Sequence, residues 1–344
     1  MSATTTPTPA VVSEEPRGSA DARVPHAGWR VIASKELGDH LLSVRFIVLL
    51  IVLGLAAAIP LYFAADLIRN AAPQASGAPA VFLALFTIGS QDYSFLRVDS
   101  FVAIVAPLLG LAFAFDAING ERSEGTLPRL LAQPIYRDDV INGKFVAGLA
   151  VIGIVLVAVV GIIAGYGIFR LGIVPESEEI VRLVTWLAVT FVYVGLWLAF
   201  GLLLSVVVRR AATSALIGFG IWLVLTMFGG LILDLIAKTI SPLTGSTTED
   251  LLGQAHTQQF IGRLLPGQLY AEVTSVLLNP RSNPQADLPG TLGQAQQAAQ
   301  QVPTLLAFDQ SLLLVWPQVV ALVALTVICF AAAYVAFMRQ EVRA

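Results

Sequence analysis

Six long apolar segments constrain the fold of this 344-residue chain more than any other feature. Each is close to or above the roughly 20 residues that a helix needs to cross about 30 Å of hydrocarbon. They cover approximately residues 46–66, 99–118, 145–169, 183–207, 212–236 and 312–337. Only 12% of the residues are charged, which leaves too little polar surface for a soluble globule of this size. The sequence therefore predicts an all-α polytopic membrane protein with six transmembrane helices.

The basic residues predict the orientation of the spans. If the N-terminus is cytoplasmic, 13 of the 20 Lys and Arg residues fall in the cytoplasmic segments. The positive-inside rule therefore places both termini in the cytoplasm, and an even number of spans agrees with it. We expect a multi-pass protein of an inner or plasma membrane. The net charge of −3 shows no bias toward nucleic acid, and no nucleic-acid partner is expected.

The segments outside the spans differ in character. Residues 1–28 contain no apolar run, so we expect a disordered cytoplasmic tail without a secretory signal. Residues 29–44 predict an amphipathic elbow helix, for which we favour the cytoplasmic membrane interface over packing on another element. The apolar stretch 79–88 is too short to span and is expected at the interface or against the bundle. Residues 238–311 predict a small helical external segment between spans 5 and 6, rather than a separate catalytic domain.

The spans lack the residues that ion, proton or metal chemistry needs. The middles of all six carry no Asp, Glu, Lys, Arg or His, which argues against a proton-coupled carrier or a voltage sensor. The three histidines and the single Cys329 form no metal motif. The only Gly-Lys pair, Gly143-Lys144, lacks the rest of a nucleotide-binding Walker A motif. We therefore expect no directly bound cofactor, and any energy from ATP has to come from a partner.

The most informative motif lies in the long cytoplasmic loop, residues 119–144. Gly125 is expected to end the helix that leaves span 2, because glycine readily adopts conformations that break a helix. Thr126 can then cap the N-terminus of a new short helix. Three leucines at positions i, i+3 and i+4 of that helix form one small apolar knob. They are Leu127, Leu130 and Leu131.

The short helix has a defined end and a charged rim. It is expected to stop before Pro134, because the residue that precedes a proline avoids the helical conformation. Asp138 or Asp139 can cap the helix that becomes span 3. The charged residues around the knob are Glu121, Arg122, Glu124, Arg129 and Arg137. An exposed apolar knob needs a covering surface. That surface could be another protein, the membrane or the chain's own helix ends, and the residues alone do not favour the first over the other two.

The pattern E-R-x-x-G-T-L-x-x-L-L-x-x-P-x-x-R-x-x-x-x-x-G-K over residues 121–144 resembles the coupling-helix region of ABC-2 type permeases. These are the membrane subunits of ATP-binding-cassette exporters. The resemblance covers residues 29–344, which would form one ABC-2 type transmembrane domain. Shorter stretches resemble the subgroup that includes the membrane subunit of the nitrous-oxide-reductase maturation transporter. They are Ile240-Ser241-Pro242, Leu277-Leu278-Asn279-Pro280 and residues 338–343.

The resemblance implies partners and a role for the loop. It implies a second copy of the chain, as a homodimer, and two copies of a separate cytoplasmic ABC ATPase that binds ATP and Mg²⁺. The leucine knob would enter a groove of the ATPase, and the polar residues would contact its rim and hold the shape of the loop. The implied ATPase-coupling residues are Glu121, Arg122, Glu124, Gly125, Thr126, Leu127, Leu130, Leu131, Pro134 and Arg137.

The resemblance also implies that spans 2 and 5 line the dimer interface. Residues there that would permit bending or close packing are Pro107, Gly110, Gly220, Thr226, Gly229 and Gly230. Small residues are equally ordinary within single membrane helices. The uncharged spans favour export of a hydrophobic or amphipathic substrate over a free ion.

Two other functions stay open at this point. The chain could transmit ATP-driven motion to an extracytoplasmic partner through residues 238–311 without transporting a substrate. It could also be a secondary carrier or channel without an ATPase, although the uncharged span middles argue against that class. An enzymatic activity of the chain itself is not expected.

Overall fold

The computed structural model describes residues 28–75, 81–87, 97–127, 136–240, 257–279 and 306–340. Within these ranges the regular structure is helical, without strands. The helices are α1 (Gly28–Leu41), α2 (Val44–Ala75), α3 (Val81–Thr87), α4 (Val98–Ala114), α5 (Asn119–Ser123), α6 (Arg137–Leu171), α7 (Ser177–Val207), α8 (Ala211–Met227), α9 (Gly229–Ile240), α10 (Pro266–Leu278) and α11 (Phe308–Arg339). Residues 1–27 of the predicted tail 1–28, and most of the predicted external segment, lie outside the described residues, whereas Gly28 begins α1.

Four helices in the described part are long and apolar enough to cross a membrane, and the number rises to six if two bent pairs each count as one span. The four are Val98–Ser123, Arg137–Leu171, Ser177–Val207 and Phe308–Arg339. The bent pairs are Gly28–Leu41 with Phe46–Tyr62, at 61°, and α8 with α9, at 55°. The all-helical, polytopic prediction is confirmed at this level. The count of six and the cytoplasmic position of both termini stay predictions.

The bend between α8 and α9 lies at Phe228, directly before two glycines. A Cβ atom on Gly229 would lie 2.9 Å from the Leu265 side chain, so the glycine admits that side chain at the break. A Cβ atom on Gly230 would meet no atom of the described residues within 4 Å. The segment that was predicted as span 5, residues 212–236, is therefore two helices with a leucine from the external segment packed at their junction.

The centre of the bundle is α7, which packs against α4, α6, α10 and α11. At its crossing with α4, a Cβ atom on Gly110 would lie 2.6 Å from the Val194 carbonyl oxygen and 2.7 Å from the Leu198 nitrogen. Small residues allow this backbone approach between membrane helices. Gly110, which the resemblance placed at a dimer interface, is thus used for packing inside one chain.

The described part of the predicted external segment packs into the bundle. On α10, Tyr270, Val273 and Leu277 are fully buried, and the helix contacts α4, α7 and α11. The Tyr270 hydroxyl lies 2.9 Å from the Thr190 hydroxyl, and its ring stacks on Tyr193 at a centroid distance of 4.4 Å. Residues 266–278 therefore form a structural element of the membrane domain.

The short apolar stretch predicted over residues 79–88 is α3, and it packs against the bundle. Its buried residues are Phe82, Leu83, Leu85 and Phe86. Glu179 of α7 accepts a hydrogen bond from the Phe82 backbone N–H at 2.9 Å, which satisfies a free donor at the start of α3. The structure therefore places α3 against the bundle, which was one of the two predicted positions, and not apart from it.

We expect Gly110→Ala to lower the free energy of unfolding by about 1–3 kcal/mol, because the new methyl group would overlap backbone atoms of α7 that cannot move independently. Gly161→Ala is the matched control, since a Cβ atom on Gly161 of α6 would meet no atom of the described residues within 4 Å. Thermal unfolding of the detergent-solubilised protein measures both. Equal melting temperatures for the two variants would contradict the packing described for α4 and α7.

Candidate functional site

The loop that follows α4 is attached to the end of α7 by side-chain hydrogen bonds. The Ser205 hydroxyl oxygen accepts the backbone N–H groups of Ile118 and Asn119, at 2.9 and 3.2 Å. The Asn119 amide donates in turn to the Val208 carbonyl at 3.3 Å. These bonds hold the turn between α4 and α5, so the start of the loop has a defined position on α7.

Two predicted turn residues end α5. Gly125 has a φ of +68°, which confirms the predicted helix end in the left-handed region that favours glycine. The Thr126 N–H and hydroxyl both donate to the Glu121 carbonyl, at 3.0 and 3.1 Å. Carbonyls at the end of a helix need donors from beyond it, and Thr126 supplies two to Glu121 after Gly125 has reversed the chain. The hydroxyl was also predicted to cap the next helix; residues 128–135, which would supply the capped N–H groups, lie outside the described residues, so that capping role stays a prediction.

A buried cation joins three helices at this end of the bundle. The Lys144 Nζ atom, on α6, lies 2.9 Å from Glu36 Oε1 on α1 and 2.6 Å from Glu121 Oε1 on α5. The exposed fraction of the lysine side chain is 5%, against 15% and 21% for the two carboxylates. Charged groups that are buried together lose their hydration. Removing one of them therefore leaves the others as buried charges without a partner, which lowers the stability of the fold. We refer to Lys144, Glu36 and Glu121 as the lysine cluster.

The predicted elbow helix is α1, and one of its faces packs on the start of α6. Asp139 Oδ1 accepts the Trp29 backbone N–H at 3.0 Å, and Asp139 Oδ2 accepts the Tyr136 N–H at 3.4 Å. Asp139 is the third residue of α6; it accepts the N–H of the N-cap residue Tyr136, as in a capping box, and also receives the start of α1. The predicted capping role thus belongs to Asp139 in this reciprocal form, whereas the N-cap position itself is Tyr136. A Cβ atom on Gly143 would lie 2.8 Å from the Ile32 side chain, so the glycine permits this contact. The elbow thus packs on another element, and its position in the membrane interface stays a prediction.

His40 attaches the other end of α1 to the bundle. Its ring meets the Phe113 ring edge-on, with centroids 5.3 Å apart. Burial lowers the pKa of the His40 imidazole below its usual value, and the Glu36 carboxylate opposes this shift. The neutral imidazole accordingly suits the aromatic contact with α4.

Arg122 and Arg137, which flank residues 123–136 of the loop, both bind Gln340, the residue after α11. The Arg122 guanidinium donates to Gln340 Oε1. The Arg137 guanidinium donates to the Gln340 backbone oxygen at 2.9 Å, and it lies 5.7 Å from the centroid of the Phe337 ring. Both ends of this segment are therefore attached to the end of α11.

The structure separates the ten predicted ATPase-coupling residues into groups. Glu121, Arg122 and Arg137 make the contacts within the chain that are described above. Glu124, Gly125 and Thr126 are exposed. Leu130, Leu131 and Pro134 lie outside the described residues. Leu127 is 2% exposed, so the prediction of an exposed knob is wrong for this leucine in the free chain; its apolar side chain is withdrawn from water. The assignment of these residues to ATPase contacts stays a prediction.

Sequence reasoning missed the residues that attach the loop. Lys144 stood inside the motif as a lone cation at the start of an apolar span, which is a signal that a carboxylate partner is needed. Nothing in the local sequence points to Glu36, because it belongs to a different helix 108 positions earlier. Gln340 carried no signal either, since a polar residue after the last span is ordinary.

Comparisons with known proteins show which family this chain resembles. The chain matches the family described as ABC-2 family transporter protein over residues 30–342. It is 29% identical over 140 residues to the probable ABC transporter permease protein NosY of Stutzerimonas stutzeri, over 39% of this chain and 49% of that protein. It is 36% identical over 87 residues to the NosY protein of Pseudomonas aeruginosa, over 24% of this chain and 30% of that protein. The matched stretch thus spans about half the length of the first relative and less of the second.

We expect Lys144→Met to lower the free energy of unfolding by about 3 kcal/mol, because it leaves two largely buried carboxylates without their cation. Lys238→Met is the matched control, since the Lys238 side chain is 58% exposed and its Nζ atom lies 2.6 Å from Asp234 Oδ2. An exposed pair of this kind contributes less than about 1 kcal/mol. Thermal unfolding in detergent measures both variants. The cluster has no structural role if both lysine substitutions lower the melting temperature equally.

Proposed function

The chain belongs to the ABC-2 family of transporter proteins, and on that premise we propose that it is the membrane subunit of an ATP-driven exporter. The family match across residues 30–342 is the observation that carries this proposal. The names of both NosY relatives, which describe probable ABC transporter permeases, support it. In this proposal a separate cytoplasmic ATPase binds ATP and Mg²⁺, and this chain supplies no catalytic residue.

The attachment of the loop supports a coupling role for it. The loop is bonded to α1 and α6 through the lysine cluster, to α7 through Ser205, and to the end of α11 through Gln340. Residues 123–126 are exposed between these attachments. A force applied to the exposed segment would act on four helices together, as rigid-body switching requires. We place the ATPase contact at this segment and the leucines that follow it.

The distribution of charge supports an apolar or amphipathic substrate. In the described spans the buried charged groups lie near helix ends, with Lys144 and Asp139 at one end and Asp99, Glu179 and Arg182 toward the other. A free ion would need polar or charged groups at membrane depth. We therefore propose that the exporter moves a hydrophobic or amphipathic molecule.

The surface of α8 and α9 supports the presence of a second copy of the chain. Both helices leave large apolar side chains exposed in the single chain, among them Leu216, Met227, Leu231 and Leu235. Lipid can cover such a surface, and so can an identical helix pair related by twofold symmetry. We propose the twofold dimer, with two ATPase subunits below it, as the working assembly.

We expect Leu130→Asp to abolish copurification of the ATPase, because a carboxylate placed in an apolar groove loses its hydration without a partner. Leu130→Met is the matched control and should keep the complex. Affinity purification of the tagged chain from its native membrane, followed by mass spectrometry, detects a subunit with a Walker motif. A complex that copurifies in normal amount with the aspartate variant would remove Leu130 from the ATPase contact.

We expect hydrophobic or amphipathic compounds to stimulate ATP hydrolysis by the complex in proteoliposomes, by at least about twofold over the basal rate. The reason is that an occupied transport site favours the conformational cycle that consumes ATP. Small hydrophilic ions tested at the same concentration are the control. Stimulation by the ions alone would show that the substrate class proposed here is wrong.

A further inference from the structure

The residue that follows α11 makes more contacts across the cytoplasmic end of the bundle than a helix end requires. We propose that Gln340 is a positioning residue, which joins the cytoplasmic loop to α11 so that α11 moves with the loop. This inference rests on the proposed function, in which the loop receives the force of an ATPase.

Each polar group of Gln340 has a different partner. Its side-chain oxygen accepts from the Arg122 guanidinium, and its side-chain nitrogen donates to the Val206 carbonyl at 2.7 Å. Its backbone oxygen accepts from Arg137 at 2.9 Å. An amide is needed for the side-chain pair, because a carboxylate cannot donate and an ammonium cannot accept. Gln340 therefore connects the loop to the ends of α7 and α11 through one side chain.

The backbone at Gln340 directs this side chain toward the loop. Residue 340 is the C-cap of α11 and has an extended conformation, with φ −73° and ψ 127°. Its N–H still bonds the Phe337 carbonyl at 3.3 Å, so the residue belongs to the helix on one side and leaves it on the other. A shift of Arg122 or Arg137 would therefore act directly on the end of α11.

The far end of α11 is bonded to other helices in a similar way. The Gln318 amide donates to Glu272 of α10 at 2.8 Å. The Arg182 guanidinium of α7 donates to the Ser311 hydroxyl at 3.0 Å. From Gln318 to Arg339, which is the part of α11 after its internal Pro317, the helix is continuous over 22 residues and about 33 Å long at 1.5 Å per residue. The helix is thus a rigid connection from the loop to α10, and we infer that α10 responds to ATP through it.

The first test uses the purified permease alone, by hydrogen–deuterium exchange. Gln340→Ala should raise the exchange rates of amides in residues 119–127 by about tenfold, which corresponds to the loss of a charge-assisted hydrogen bond. Arg339→Ala is the control, because the neighbouring Arg339 is exposed and should leave those rates unchanged. Unchanged exchange in the Gln340 variant would overturn the attachment of the loop.

A double-mutant cycle distinguishes positioning from a general loss of stability. Gln340→Ala and Arg122→Ala remove the same bond, so their combined effect on exchange should be much smaller than the sum. Gln340→Ala and Arg137→Ala should be close to additive, because Arg137 binds the backbone oxygen, which the alanine keeps. Additivity in both pairs would overturn the role of the Gln340 side chain.

The second test follows α10 in the complete complex. A fluorophore on Leu264→Cys, in a Cys329→Ser background, reports from an exposed position just before α10. ATP should change its fluorescence in the parent complex and in Arg339→Ala, and the change should fall by about tenfold in Gln340→Ala. If Gln340→Ala raises amide exchange in the loop but leaves the ATP-induced fluorescence change undiminished, transmission through α11 is overturned. If no ATPase copurifies with the parent chain, the proposed function fails, whereas the exchange experiments still decide the attachment of the loop.

Discussion

The absence of water inside a membrane is the constraint from which the rest of this structure follows. Backbone groups in hydrocarbon have to be satisfied within their own segment, so each crossing segment is a helix. Charged side chains are costly at that depth, and here they gather near the helix ends. Packing in the middle then depends on shape, as at Gly110, where the backbones of α4 and α7 approach closely.

The two ends of the bundle use charge in different ways. Toward one end, Glu179 satisfies the start of α3, and Arg182, which pairs with Glu178 of its own helix, also bonds Ser311 of α11, so these contacts attach helices to one another. At the other, the lysine cluster and Gln340 hold a loop whose central residues are exposed. The exposed loop is thus held at one end of a closely packed bundle, which is the arrangement on which the proposed coupling to a cytoplasmic ATPase depends.

Part of the candidate site could be predicted from the sequence because it depends on local chemistry. Gly125 ends α5 and Asp139 caps α6 for reasons that only a few neighbouring residues decide. The bond from the Thr126 hydroxyl back to Glu121 was not predicted, because a hydroxyl at that position can serve the helix before it as well as the helix after it. The burial of Leu127, and the pairing of Lys144 with Glu36, depend on elements that are distant in the chain. Periodicity within one segment contains no information about them.

The sequence by itself determined that the chain is helical and membrane-embedded, and it identified the loop that carries the family motif. Hydrophobic length and the scarcity of charge decide these properties segment by segment. Only the tertiary structure decided that α1 packs on α6, that α10 lies inside the bundle and that Gln340 holds both arginines of the loop. The physical reason is that a polar group at a helix end can be satisfied by any nearby donor or acceptor, and the three-dimensional packing selects which one it meets.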